Sequence, residues 1–145
     1  MLLDGVNHIA WITKDTARLC EFYQDVFDAV ASPTRDHGPG EKMTIVDIGP
    51  STQLNLFEIE GNTEAERQTP MFGRGRIDHV GLSAASKEAF ETIRARLVRT
   101  GSSDGTVTAF GGRVLSIFFR DPDGLEGEVL LAGGVKVEEL APLES

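Results

Sequence analysis

Few residues in this chain of 145 are chemically forward: one cysteine, one tryptophan, one tyrosine and three histidines. A single Cys20 excludes an intrachain disulfide and sets a reducing compartment as the expectation. Beside Leu19, Phe22 and Tyr23, it reads as a small half-buried hydrophobe rather than a reactive thiol. No apolar run approaches the ~18 residues of a membrane span, and no basic start leads into an apolar stretch, so the expected location is cytoplasmic. Positive charge is also scarce: 14 Lys and Arg stand against 23 Asp and Glu, a formal net charge of −9. With no basic patch to release counterions, nucleic acid and anionic membrane are excluded as expected partners.

What is present is a repeat. Val6-Asn-His8-Ile-Ala-Trp-Ile12 and Ile77-Asp-His79-Val-Gly-Leu-Ser83 place two of the three histidines at matching positions of two half-chains. In the first half, a strand from Val6 to Thr13 precedes a helix capped by Asp15 and running to Phe27. Its apolar face is Leu19, Phe22, Tyr23 and Val26. A short strand at 29–33, a Gly/Pro-rich break at 36–40, and strands 42–48 and 53–59 complete it. The second half repeats the order: strand 77–83, a helix from Lys87 to Thr100 capped by Ser86 and ended by Gly101, then strands 106–110, 114–120 and 126–131. The expected organisation is one domain over 1–135, with module one at 5–60, a linker at 61–74, module two at 75–132 and a frayed acidic tail at 136–145 carrying Glu138, Glu139 and Glu144.

Strand parity gives the histidines a direction. Ile9 and Trp11 share one face and His8, Ala10 and Ile12 the other; Val80 and Leu82 oppose His79, Gly81 and Ser83. The large apolar pairs belong under the helices, so the histidines face away from them beside small neighbours. On the last strand Glu126 and Glu128 oppose Val129 and Leu131. A carboxylate among apolar residues is costly unless paired or metal-bound. His8, His79 and Glu128 thus form a candidate donor set for Mn, Fe(II), Co, Ni or Zn, with coordination positions left open.

His8-Ile-Ala10, Glu21-Phe22-Tyr23, His79-Val-Gly81 and Arg120-Asp-Pro-Asp-Gly124 resemble the vicinal oxygen chelate superfamily, which spans glyoxalases, bleomycin resistance proteins and extradiol dioxygenases. The resemblance covers about Val6 to Leu131. It implies an α+β fold of two tandem βαβββ modules forming a cupped mixed sheet, a homodimer, and metal ligands on the first, fourth, fifth and eighth strands. Three positions carry over as His8, His79 and Glu128. At the fourth, aligning Leu54-Asn55-Leu56 with Gly127-Glu128-Val129 puts Asn55, or water, where glyoxalase I has a glutamate. Glu58, at odd offset, belongs on the opposite face, solvated or at the strand edge. An amide there argues against glyoxalase I chemistry, but epimerases of the superfamily carry Gln at this position.

The implied function is a divalent-metal-dependent isomerase, epimerase or lyase acting on a small vicinal-oxygen substrate through a metal-stabilised enolate or alkoxide. Glu128 is the first candidate base and Glu41 the second, with Glu126 and the loop residue His37 behind them. Arg113 is a candidate anion contact, and Tyr23 reads as core. Two alternatives stand: a metal-free antibiotic- or small-molecule-binding protein, and an extradiol ring-cleaving dioxygenase. Few pocket aromatics weaken the former, and the shortage of His and Tyr the latter.

Overall fold

A computed structural model describes residue 2 and residues 5–70, 72–74 and 76–143. Gly75, where module two was expected to begin, and the tail acid Glu144 lie outside the described residues. The chain divides into two compact units, Met1–Gln68 and Thr69–Ser145.

The first unit contains β1 (His8–Thr13), α1 (Thr16–Phe27), β2 (Val30–Ala31), β3 (Arg35–Gly38), β4 (Glu41–Asp47) and β5 (Gln53–Ile59). Asp15 starts α1 by accepting from the Arg18 N–H at 3.0 Å, and Asp28, in the left-handed region at φ 54°, ends it. The strands form one mixed sheet in the order β1-β5-β4-β2, with β3 also on β4; β1 and β5 are parallel. Leu19, Phe22, Tyr23 and Val26 of α1 pack against the face carrying Val46, Leu54 and Leu56, all of them buried. The Trp11 ring joins this core 6.0 Å from Tyr23. Each fully buried Leu or Val contributes about 2 kcal/mol of hydrophobic free energy.

The second unit contains β6 (Val80–Ser83), α2 (Lys87–Arg99), β7 (Thr108–Phe110), β8 (Val114–Arg120) and β9 (Glu126–Ala132). Its sheet order is β6-β9-β8-β7, again with the first pair parallel. Phe90 and Leu97 of α2 sit over Leu115, Ile117, Phe119, Val129 and Leu131. This is the α+β architecture of repeated strand–helix–strand units expected from the sequence. Among the described residues no helix is long and apolar enough to cross a membrane.

Three local expectations change. The segment 36–40 is not a break: Arg35–Gly38 pairs with β4 as a short strand, with an irregularity between Asp36 and Gly38. Pro39 and Gly40 (φ 72°) then make the turn, so turn residues were read as ending a strand that they connect. β1 begins at His8 and β6 at Val80, later than expected. The tail is not frayed through Leu143: Val137–Glu139 forms a short 3-10 turn, and the Ala141 N–H donates to Glu91 of α2 at 2.7 Å.

Candidate functional site

In the second unit, β6 and β9 run side by side with Gly81 opposite Glu128 and Val80 opposite Gly127. Parity puts His79, Gly81, Glu126 and Glu128 on the face away from α2. The His79 Nε2 lies 3.5 Å from Glu128 Oε2. On the other side of the ring, Nδ1 lies 2.9 Å from Asp78 Oδ2. A carboxylate only accepts, so Nδ1 carries the proton of that bond. Glu128 is buried, and its second oxygen accepts from Ser116 Oγ at 2.5 Å. The Phe118 ring stands at 72° to the imidazole with centroids 5.8 Å apart.

Asp78 is held from several directions. Its carboxyl lies below the usual range, first through the hydrogen bond with His79, and further through the Phe72 N–H and the Arg74 guanidinium. Arg74 reaches Asp78 Oδ2 at 3.4 Å and Glu126 Oε2 at 2.5 Å. Glu126, a candidate base in the sequence, is therefore committed to an ion pair.

In the first unit the register is the same. Ala10 is opposite Asn55 and Ile9 opposite Leu54, so Asn55 holds on β5 the position that Glu128 holds on β9. His8, Ala10, Asn55 and Phe57 share the face away from α1. His8 is exposed, with Nδ1 2.9 Å from Asn7 Oδ1. The Asn55 side-chain oxygen is buried and has no hydrogen-bond partner. Such an acceptor costs about 1–3 kcal/mol when left unmet.

Glu58 lies on the helix side, as its parity requires, near the end of β5 and still about one-third exposed, with Lys42 3.4 Å away. It accepts from the Thr16 backbone N–H and hydroxyl, both at 3.0 Å, at the start of α1. The Thr16 N–H is the main reason its carboxyl sits below the ordinary value. Glu41 is opposite Ile59, four residues beyond Asn55 and roughly 13 Å along the strand. The structure does not bring Glu41 to Asn55; it lines a cavity of about 460 Å³ with Asp36, Lys42 and Glu60. His37 is on β3, its ring 5.3 Å from Phe57. Arg113 is exposed in the turn before β8, and Tyr23 is core.

Within either unit, among the described residues, no three His, Cys, Asp or Glu side chains are already grouped around one point. The donors nonetheless fit a divalent ion. Two ligands each ~2.0–2.2 Å from a common ion lie roughly 3–3.5 Å apart, which is the His79–Glu128 separation. A carboxylate on the remote ring nitrogen is the usual support for a metal-binding histidine. At Gly81 the Leu130 side chain packs directly over the backbone, since a Cβ there would lie 2.9 Å from Leu130 Cδ1 and 3.7 Å from Glu128 Oε2. Within the first unit, taken by itself, the register-equivalent position holds the orphaned Asn55 oxygen. Sequence reasoning missed Asp78, Arg74 and Ser116. The adjacency Asp78-His79 was a usable signal, and so was the place of Ser116 on the strand that hairpins onto β9, opposite in parity to Leu115 and Ile117. Arg74 comes from a segment whose pairing no local pattern shows.

Comparison with known proteins is consistent across most of the chain. Residues 5–129 match the profile of the Glyoxalase/Bleomycin resistance protein/Dioxygenase superfamily. A virulence protein of Salmonella typhimurium is 24% identical over 128 residues, covering 86% of this chain and 81% of that one. Among solved structures, a glyoxylase/bleomycin resistance protein/dioxygenase domain from Frankia superposes with a TM-score of 0.77 at 20% identity, over 90% of this chain and 99% of that one. A mutant of the fosfomycin resistance protein FosX from Listeria monocytogenes, complexed with Mn(II) and 1S,2S-dihydroxypropylphosphonic acid, gives 0.69 at 19% identity, over 91% and 95%. At these identities the structural likeness is one of fold.

Proposed function

This chain belongs to the Glyoxalase/Bleomycin resistance protein/Dioxygenase superfamily, and from that premise we propose that it is a divalent-metal-dependent enzyme acting on a small substrate with vicinal oxygens. Isomerisation, epimerisation or lyase chemistry is the proposed reaction class. The observation that carries the reading is the His79–Glu128 pair at 3.5 Å, with the imidazole supported by Asp78. His8 and Asn55, at the corresponding register positions of the first unit, are the matching proposed donors. That the FosX relative was obtained with Mn(II) supports a divalent ion of this kind.

The proposed roles follow from the contacts. His79 presents Nε2 because Asp78 engages Nδ1. Ser116 occupies Glu128 Oε1, which leaves Oε2 as the atom to face an ion or take a proton from a carbon beside the substrate oxygens. A bound divalent ion would supply Lewis acidity toward two substrate oxygens, and a neutral Asn55 oxygen in place of a carboxylate keeps more of it. Glu41, roughly 13 Å along the strand from Asn55, is out of hydrogen-bond reach of a small substrate held there and takes no proton-transfer role in this reading. A homodimer belongs to the same reading, and light scattering reads it directly.

Metal analysis after chelation and resupply tests the reading, with His79→Ala in parallel. The expected result is near-stoichiometric metal in the unsubstituted protein and its loss in the variant. No bound metal after supplementation would overturn the enzyme reading in favour of metal-free small-molecule binding. Oxygen uptake with catechols in the loaded protein would replace redox-neutral chemistry with ring cleavage.

A further inference from the structure

Arg74 lies in the segment that leads into β6, and its side chain is only 11% exposed. A guanidinium this far from water needs anionic partners, and it has two, Asp78 four residues on and Glu126 52 residues away on β9. Nη2 meets Glu126 Oε2 at 2.5 Å, and Nη1 meets the Asp78 carboxylate at 3.4 Å and its backbone oxygen at 3.3 Å. Glu126 is two residues before Glu128 on the same face of β9. Asp78 in turn places one oxygen on His79 Nδ1, while the other accepts from the Phe72 N–H, whose residue is held at φ 65°. One cation thus ties the strand of Glu128 to the carboxylate that orients His79.

Charge points the same way. Asp78 and Glu126 pair with Arg74, while Glu128 lies against His79. Among these contacts, with the histidine counted neutral, three carboxylates meet one guanidinium, a formal excess of two negative charges that one divalent ion balances. Without Arg74 the excess would be three, and Asp78 would have no cation to hold it against Glu126. A planar fork suits the bridging role, because Lys brings one point charge where Arg brings two separated donors.

We infer that Arg74 is a positioning residue: through Asp78 and Glu126 it fixes the His79 ring with Nε2 toward Glu128. This inference rests on the metal reading above for its consequence, though not for its geometry. It makes the connecting segment, rather than the strands alone, responsible for the readiness of the second unit's donors. Removing such outer support from a metal-binding histidine costs about 10–100-fold in metal affinity.

The experiment compares the full chain with Arg74→Gln and Asp78→Asn by two readouts. The first is the His79 ring in metal-free, ¹⁵N-histidine-labelled protein, where a hydrogen-bonded Nδ1 proton exchanges slowly enough to give an NMR signal. The second is titration with Mn(II). The unsubstituted chain is expected to show the protected Nδ1 proton; both variants should lose it and bind Mn(II) about 10–100-fold more weakly. Arg74→Lys should fall between. A purely structural role would lower the melting temperature while leaving the ring signal and the Mn(II) affinity unchanged, and that result overturns the inference. Should Arg74→Gln fail to fold, Arg74→Lys carries the same comparison. If the unsubstituted chain binds no Mn(II) but shows the ring signal, and the variants lose it, the metal reading fails while the positioning role stands.

Discussion

Asn55 separates binding from stability. Its side-chain oxygen is buried without a partner, so in the metal-free protein it is a cost. Asn55→Leu removes the orphaned acceptor at similar volume. The metal-free variant should therefore unfold at equal or higher urea concentration, by up to about 1 kcal/mol, while its Mn(II) affinity drops roughly tenfold. Unchanged Mn(II) affinity would remove Asn55 from the donor set. Gly127, beside the other proposed donor strand position, is a packing residue. A Cβ there would fall 2.4 Å from Cζ of the buried Phe119 ring. Gly127→Ala should cost about 1–3 kcal/mol in urea unfolding, and adding Phe119→Leu should recover part of it. Independent, additive losses would show that the ring and the glycine do not share that space.

At the scale of elements, the turn from Arg120 to Gly124 delivers β9. Asp121 closes it by accepting from the Leu125 N–H at 2.8 Å, at 6% exposure. Burial pushes its carboxyl up to about 6 from an ordinary 3.8, against the lowering effect of the backbone N–H groups. The folded state therefore holds this proton more tightly than the unfolded chain does. The stability it contributes is fully present below about pH 3.8 and is lost as pH rises through about 6. Asp121→Asn keeps an acceptor for Leu125 and abolishes the titration. Relative to the unsubstituted protein, its stability should improve by about 2 kcal/mol between pH 4 and pH 7. Chemical denaturation at the two pH values measures this, and a difference that stays constant with pH would contradict it.

Elements of this kind show where the sequence was legible. β5 and β8 keep their expected limits because alternation along Leu54-Asn55-Leu56 and Leu115-Ser116-Ile117 is strong and one face is buried. The Asp15 and Ser86 caps were readable for the same local reason. β3 was not, since Gly38, Pro39 and Gly40 look alike whether they end a strand or turn it into a hairpin. Parity alone put His8, Asn55, His79 and Glu128 on the faces away from the helices. It could not show Arg74 on Glu126, a contact spanning 52 residues.

For the whole molecule, an acidic chain with net charge −9 and an unbalanced pair of charges around His79 and Glu128 should be stabilised by the ion it is proposed to hold. An ion that binds only the folded state at about one hundred times its Kd adds roughly 2.7 kcal/mol. For a chain of this length that corresponds to a rise in Tm of about 5–10 °C. The rise should be reversed by chelator and be absent in His79→Ala. Simple screening of the acidic surface would act on both proteins alike, and Mg(II), which prefers oxygen ligands, would match Mn(II). A shift given by Mn(II) but not by equal Mg(II), and only with His79 present, therefore assigns the stabilisation to imidazole-containing coordination. An equal shift in the variant assigns it to surface charge and leaves His79 with no part in holding a metal.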